Sequence, residues 1–222
     1  LGHHYFWIGT PEYWWEIGAL FSALEPVPLV AMFVHVIYDW GKETGLKEGE
    51  GEEKTMTNSP AFAWFVTNAF GNFLGAGIWG FFHTLPQVNI YTHGTQFTSA
   101  HGHLAFFGAY ATILIGMFYI GVQGKNGIKV MKATFDSKMA ISLITIGVLG
   151  MTVSLTVAGY GQVLVERAQM GATWEGFFVS QNLVWFVQGL GWRLATGVVT
   201  FIGFLYLVKD LLTISQNPKH ER

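Results

Sequence analysis

Residues 101–122 read HGHLAFFGAYATILIGMFYIGV, with two histidines at the head of a long apolar segment. A helix needs about 20 such residues to cross the hydrocarbon core of a bilayer. Residues two apart on an α-helix point about 200° away from each other. His101 and His103 therefore cannot bind the same metal ion. Each can bind its own ion, on opposite flanks of one helix.

The composition predicts an integral membrane protein. The chain has 222 residues, of which 51% are hydrophobic and 12% are charged, and its mean hydropathy is +0.37. Soluble domains carry about 25% charged residues. Because lipid cannot satisfy backbone polar groups, we expect an all-α, polytopic bundle of membrane helices. The chain has no cysteine, which excludes thiolate metal sites and disulfides. No phosphate-binding loop and no basic face for nucleic acid is present.

Five segments are long and apolar enough to be spans, which predicts five transmembrane helices. They are Trp14–Tyr38, Pro60–His83, His101–Val122, Met139–Val163 and Leu183–Val208. The chain begins Leu1-Gly2-His3-His4, without a Met or a basic signal region. We expect residues 1–222 to form one transmembrane catalytic region, the C-terminal part of a longer core.

The distribution of basic residues predicts the orientation of these spans. Alternating spans place ten of them on one side, and the positive-inside rule makes that side cytoplasmic. The ten are Lys42, Lys47, Lys54, Lys125, Lys129, Lys132, Lys138, Lys209, Lys219 and Arg222. The Gly- and Glu-rich segment 41–58 is then a cytoplasmic loop. His3, His4 and the His101 end of the third span lie on the outer side.

The histidine pair is a candidate for haem binding. Ionisable residues inside a membrane are costly, and they are usually functional. Haem iron accepts one axial imidazole on its proximal side. Gly102 has no side chain, so two macrocycles could approach the same helical turn closely. The alternative is a pair of interfacial histidines that bind backbone or lipid.

Three further groups of polar residues could take part in chemistry. His3 and His4 could converge on one metal ion in an irregular turn, since imidazole suits iron, copper and zinc. Glu25 lies deep in the first span and is followed by Pro26 and Pro28, which favours a kink beside a proton-handling carboxylate. Arg193 is intramembrane and could pair with a haem propionate.

Other polar residues have simpler interpretations. His83 and His93 flank the outer loop, where they could contact propionates or cap helices. Asn68 and Asn72 share one helix face near Gly71, Gly75 and Gly77, a pattern typical of close helix packing.

Three motifs together resemble one known family. They are His3-His4, Phe21-Ser22-Ala23-Leu24-Glu25-Pro26, and Tyr91-Thr92-His93-Gly94-Thr95-Gln96 leading to His101-Gly102-His103-Leu104-Ala105-Phe106. This set resembles the catalytic subunit of bacterial nitric oxide reductases, within the haem-copper oxidase superfamily. The resemblance covers essentially the whole chain as the last five core helices. The stretch from His4 to Glu12 is more similar to the quinol-oxidising branch.

The resemblance implies a set of cofactors and their ligands. His101 would bind a high-spin b-type haem and His103 a low-spin one. His3 and His4 would be two of the three histidines on a non-haem iron, and Glu25 would be the buried glutamate near that iron. The third histidine, a second glutamate and the other low-spin ligand would come from upstream sequence or another chain.

The resemblance also implies a reaction, its partners and a location. Two NO molecules would be reduced to N₂O and water, with electrons from quinol or cytochrome c relayed by the low-spin haem. The protein would be a multi-pass protein of the bacterial inner membrane. Three alternatives stay open: an oxygen-reducing haem-copper oxidase, an NO dismutase, and a non-catalytic haem-binding membrane protein.

Overall fold

The described part of the chain is helical throughout its regular elements. The computed structural model describes residues 11, 13–24, 27–28, 30–32, 34–35, 38, 59–125, 132–169, 171, 173–189 and 192–216. No strand occurs among these residues. The predicted all-α class is therefore confirmed.

Seven helical runs are delimited within these residues. The first is α1, Tyr13–Ala23. Next come α2, which joins Pro60–Gly71, a π-helical segment Asn72–Trp79 and Gly80–Thr84, and the short α3, Pro86–Thr92. Then α4 joins Gln96–Phe106, a π-helical segment Phe107–Ala111 and Thr112–Lys125. The remaining runs are α5, Phe135–Gln162 with the π-helical extension Val163–Gln169, α6, Trp174–Gly189, and α7, Trp192–Gln216.

The helix that carries the histidine pair begins earlier than the hydropathy pattern predicts. Thr95 is its N-cap, and the Thr95 hydroxyl accepts a hydrogen bond from the Phe97 backbone N–H at 3.2 Å. Gly94, directly before the cap, has φ +74°, a left-handed conformation that favours glycine. The predicted start at His101 was wrong, because the cap adds a polar first turn. His101 and His103 lie in the second turn of α4.

Among the described residues, two helices are long and apolar enough to cross a membrane by length and composition. They are Phe135–Glu166 and Trp192–Gln216, and a shorter apolar helix covers Thr112–Val122. The predicted fifth span, near Leu183–Val208, falls on two described helices, of which one ends at Gly189 and the next begins at Trp192; residues 190 and 191 lie outside the described residues. The bounds of this span therefore stay a prediction. The count of five spans stays a prediction.

The first predicted span is described only in part. After α1, the backbone N–H of Leu24 donates to Phe21 O at 3.3 Å, and that of Val27 donates to Leu24 O at 3.1 Å. These are tighter i→i+3 bonds, typical of a helix end. The kink predicted at the prolines stays a prediction. Glu25 and Pro26 lie outside the described residues.

The most extensive contact joins α5 and α7, which run antiparallel. At one end Lys209 pairs with Asp136 at 2.8 Å. Further along, a Cβ added to Gly203 would meet Ile144 N at 2.8 Å, and one added to Gly147 would meet Thr196 O at the same distance. Small residues thus let the two backbones approach closely.

A buried carboxylate ties three parts of the chain together at that same end. Asp210 of α7 is 2% exposed and accepts a hydrogen bond from the Tyr119 hydroxyl of α4 at 2.6 Å. The Thr134 hydroxyl, at the N-cap of α5, also donates to Asp210. The surrounding core joins α2, α4, α5 and α7 through Ala61, Trp64, Ile115, Tyr119, Ala140, Ile144, Leu207 and Ile214.

Replacing Tyr119 with Phe should destabilise the protein, since it removes a donor from a buried carboxylate while keeping the ring. We expect a loss of about 1.5–3 kcal/mol in the free energy of unfolding, measured by thermal or denaturant unfolding in detergent. Tyr110→Phe is the matched control because Tyr110 lies on α4 and is 64% exposed. Equal stabilities of the two variants would contradict the role assigned to the Tyr119–Asp210 bond.

Candidate functional site

The site begins with the close approach of α2 and α4. A Cβ added to Gly75 would lie 2.7 Å from the backbone N of Ala105, which no real side chain tolerates without movement. Gly71 and Gly108 form a second such contact. The side-chain amide of Asn68 donates to Gly108 O at 2.8 Å and to the Thr112 hydroxyl at 3.1 Å. The close packing predicted from the asparagines and glycines of α2 is confirmed.

His101 is buried at this crossing. Its side chain is 8% exposed, and its Nδ1 lies 2.9 Å from the carbonyl oxygen of Gly75. A carbonyl can only accept, so Nδ1 carries the proton and the lone pair is on Nε2. The same carbonyl accepts the Gly80 backbone N–H in the wide turn of the π-helical segment. The π-helical segment thus presents a backbone acceptor to the imidazole of the neighbouring helix.

His103 has the same tautomer in a different setting. It is exposed, and its Nδ1 lies 2.8 Å from the carbonyl oxygen of Ser99, one turn earlier in α4. Nδ1 must again donate, which leaves the Nε2 lone pair available to a metal. Histidines that bind metals usually donate their second ring N–H to a carbonyl or carboxylate in this way.

The surroundings of the pair fit two separate haem ligands. His101 packs against α2, whereas His103 bonds only within its own helix among the contacts described. A Cβ added to Gly102 would meet nothing within 4 Å, so the helix surface between the two histidines is open to a flat group. The donor chemistry and this open surface both fit an imidazole-bound haem. Within the described residues, no three His, Cys, Asp or Glu side chains converge on a metal site.

A third histidine adjoins the pair. His83, at the end of α2, stacks on His101 with ring centroids 4.9 Å apart and an interplanar angle of 24°. The Phe97 ring is tilted by 31° against His83 at a centroid distance of 5.6 Å, and Trp79 stacks on Phe97 at 6.1 Å. The sequence predicted for His83 only a propionate or capping role. No sequence signal shows the stack, because it depends on where α2 and α4 cross.

Arg193 lies in a different part of the described structure. It lines an apolar groove of about 620 Å³ whose lining includes none of the histidines. The groove is formed by residues of α5, α6 and α7, namely Met151, Val184, Trp185, Arg193, Leu194, Gly197, Val198 and Phe201. Its predicted contact with a haem propionate stays a prediction. His3, His4 and Glu25 lie outside the described residues, so the non-haem iron site stays a prediction as well.

Comparison with known proteins establishes the class of protein. Residues 1–206 match the family described as cytochrome c and quinol oxidase polypeptide I. The chain belongs to this family, which confirms the family relationship predicted from the histidine motifs.

One curated relative is similar over most of the chain. It is a nitric oxide reductase subunit of Stutzerimonas stutzeri, which is 39% identical over 169 residues, covering 75% of this chain and 34% of that protein. The chain therefore spans about a third of the length of this relative.

Gly75→Ala should separate α2 from α4 and weaken the bond between His101 and the backbone. We expect a loss of about 1–3 kcal/mol in the free energy of unfolding, as for other overpacked sites, measured as a lowered thermal midpoint in detergent. Gly77→Ala is the control two residues away, since its Cβ would meet nothing closer than 3.6 Å. If Gly75→Ala were as stable as Gly77→Ala, the crossing would be looser than described.

Proposed function

We propose that this chain is the haem-carrying part of a membrane nitric oxide reductase, which catalyses 2 NO + 2 e⁻ + 2 H⁺ → N₂O + H₂O. The observation that carries the proposal is the histidine pair on α4, in which both Nδ1 atoms bond to carbonyl oxygens and both Nε2 atoms can bind iron. The similarity to a protein that is named as part of a nitric oxide reductase favours this reaction among those of the family.

Each of the two histidines would bind one of two b-type haems. His101, held from the side by Gly75 O, would bind the high-spin haem, and the exposed His103 would bind the low-spin haem. When bound, the haems would supply electrons and an open iron position for NO. Only Gly102 separates His101 from His103, so the chain would provide a short covalent path for electrons between the two haems.

The upstream residues would complete the catalytic pocket. His3 and His4 would hold a non-haem iron, together with a third histidine and a carboxylate from the rest of the protein. Glu25 would hold or move a proton at its carboxylate near that iron. The pocket would then need only two electrons and two protons for each pair of NO molecules.

We place the protein in the bacterial inner membrane as a multi-pass protein with five spans in this chain. The two long apolar helices support the membrane location. Residues 41–58 would form a cytoplasmic loop, and all of residues 1–222 would belong to one transmembrane region. The electron donor would be a quinol or cytochrome c, and the rest of the protein or another chain would complete the site.

An oxygen-reducing oxidase is the second candidate, because the matching family is described by its cytochrome c and quinol oxidases. Metal analysis of the isolated membrane protein separates the two. Non-haem iron beside two b-type haems supports the reductase, and copper supports the oxidase. A single haem without another metal would support a non-catalytic haem-binding protein.

Substituting each histidine of the pair should remove a different haem. His101→Ala should abolish the high-spin absorption and keep at least part of the low-spin spectrum, and His103→Ala should do the reverse. Visible absorption and electron paramagnetic resonance of the purified protein measure both. Survival of both haems in either variant would show that the ligand assignment is wrong.

Glu25→Gln should keep both haems and lose most NO turnover, because the amide cannot release or accept the proton that the carboxyl carries. NO consumption at an electrode, normalised to haem content, is the measurement. Glu16→Gln is a suitable control, since Glu16 is an exposed residue of α1. Turnover in Glu25→Gln equal to that of the control would remove Glu25 from the mechanism.

A further inference from the structure

The imidazole of His101 is held on several sides. Its Nδ1 donates to Gly75 O at 2.9 Å, and one of its faces stacks on His83. A Cβ added to Gly80 would lie 3.4 Å from Cε1 of the same ring, so the backbone of α2 lies close to that edge. A single hydrogen bond leaves a ring able to swing about the bond axis. The stacked neighbour removes that freedom.

His83 is itself anchored by a hydrogen bond from one ring nitrogen. It is 3% exposed, and its Nδ1 donates to Trp79 O at 2.9 Å. Its Nε2 lies 3.4 Å from the Thr98 hydroxyl oxygen, whose single proton is donated to Thr92 O at 2.8 Å. The ring of His83 is therefore bonded to α2 and contacts α4 at its other nitrogen.

The ring of His83 also contacts Phe97, and Phe97 is supported by α5. A Cβ added to Gly159 of α5 would lie 2.6 Å from the Cα of Phe97, so the two backbones touch. The Gln162 side chain accepts the backbone N–H of Gln96 at 2.7 Å beside this contact. The stack thus runs from a third helix, through Phe97 and His83, to the ring of His101.

We propose that His83 is a positioning residue that sets the plane of the His101 imidazole and hence the direction in which Nε2 meets iron. This inference rests on the proposed role of His101 as the high-spin haem ligand. Groups that orient a ligand from outside the coordination sphere tune both the strength of its bond and the properties of the metal. His83 would act on the iron in this way, through His101 and without touching substrate.

The chemistry of the anchors explains why a histidine suits position 83. A phenylalanine could stack on His101, but it could not donate a hydrogen bond to Trp79 O. An alanine would remove the stacked face and leave a void next to the ligand ring. The two substitutions therefore separate stacking from anchoring.

Resonance Raman spectroscopy of the reduced, isolated membrane protein tests the proposal through the iron–histidine stretching band of the high-spin haem. In His83→Ala we expect this band to shift and broaden, because the ring of His101 can rotate, while the low-spin haem bands stay unchanged. His83→Phe should give a smaller effect. The midpoint potential of the high-spin haem should move in both variants.

Phe82→Ala is the matched control, since it removes an aromatic ring from the adjacent position of α2 and Phe82 is 46% exposed. It should leave the band and the potential as in the unsubstituted protein. If His83→Ala takes up no high-spin haem, the spectrum and potential of His83→Phe test the positioning role instead. If the iron–histidine band and the midpoint potential of the high-spin haem are unchanged in the variant that binds this haem, the proposal is overturned. Loss of both haems from both His83 variants overturns it too, because His83 would then act on the fold.

The His101→Ala variant separates this inference from the proposed function. If it keeps both haems, the ligand assignment fails and the positioning role fails with it. If it loses the high-spin haem while the His83 variants match Phe82→Ala, only the positioning role is wrong.

Discussion

The close crossing of α2 and α4 is the constraint on which the histidine site depends. Gly75 lies against the backbone of Ala105, and only the absence of a side chain permits that distance. The same approach brings the Gly75 carbonyl to Nδ1 of His101. One packing contact therefore determines both the burial of the His101 ring and its tautomer. A larger side chain at Gly75 would alter both together.

Polar bonds hold α4 against its neighbours at two depths. Near the middle of α2, Asn68 bonds to Gly108 O and to Thr112 on α4. At the far end of α4, Tyr119 bonds to the buried Asp210 of α7. Buried polar groups of this kind must find partners, and in a membrane protein those partners lie on neighbouring helices. The bonds that satisfy them also set the register of α4 against its neighbours.

The π-helical segments adjoin the site on both helices. In α2 the segment Asn72–Trp79 contains the carbonyls that accept from His101 and His83, at Gly75 and Trp79. In α4 the segment Phe107–Ala111 follows the histidine pair and contains Gly108. Wide turns of this type occur frequently at functional sites, because they redirect backbone groups that a regular α-helix keeps along its axis.

Much of this architecture could be predicted from local patterns in the sequence. Apolarity and low charge predicted the helical class, the spacing of His101 and His103 predicted separate surroundings, and the glycines near Asn68 predicted close packing. The ends of helices were harder to predict from the sequence. Thr95, as the N-cap, places the start of α4 before the apolar run begins. Apolarity measures transfer into lipid, and it carries little information about where a helix starts or breaks.

What the sequence determined by itself is the chemistry of the histidine pair: two imidazoles on one helix, separated by a residue without a side chain. That follows from covalent order and from helical geometry, which need no partner helix. The tertiary structure alone decided that His101 is the buried imidazole and that the Gly75 carbonyl holds its ring. It also placed His83 on the face of His101. These facts join residues far apart in the chain, and only the packing of whole helices brings them within a few ångströms of each other.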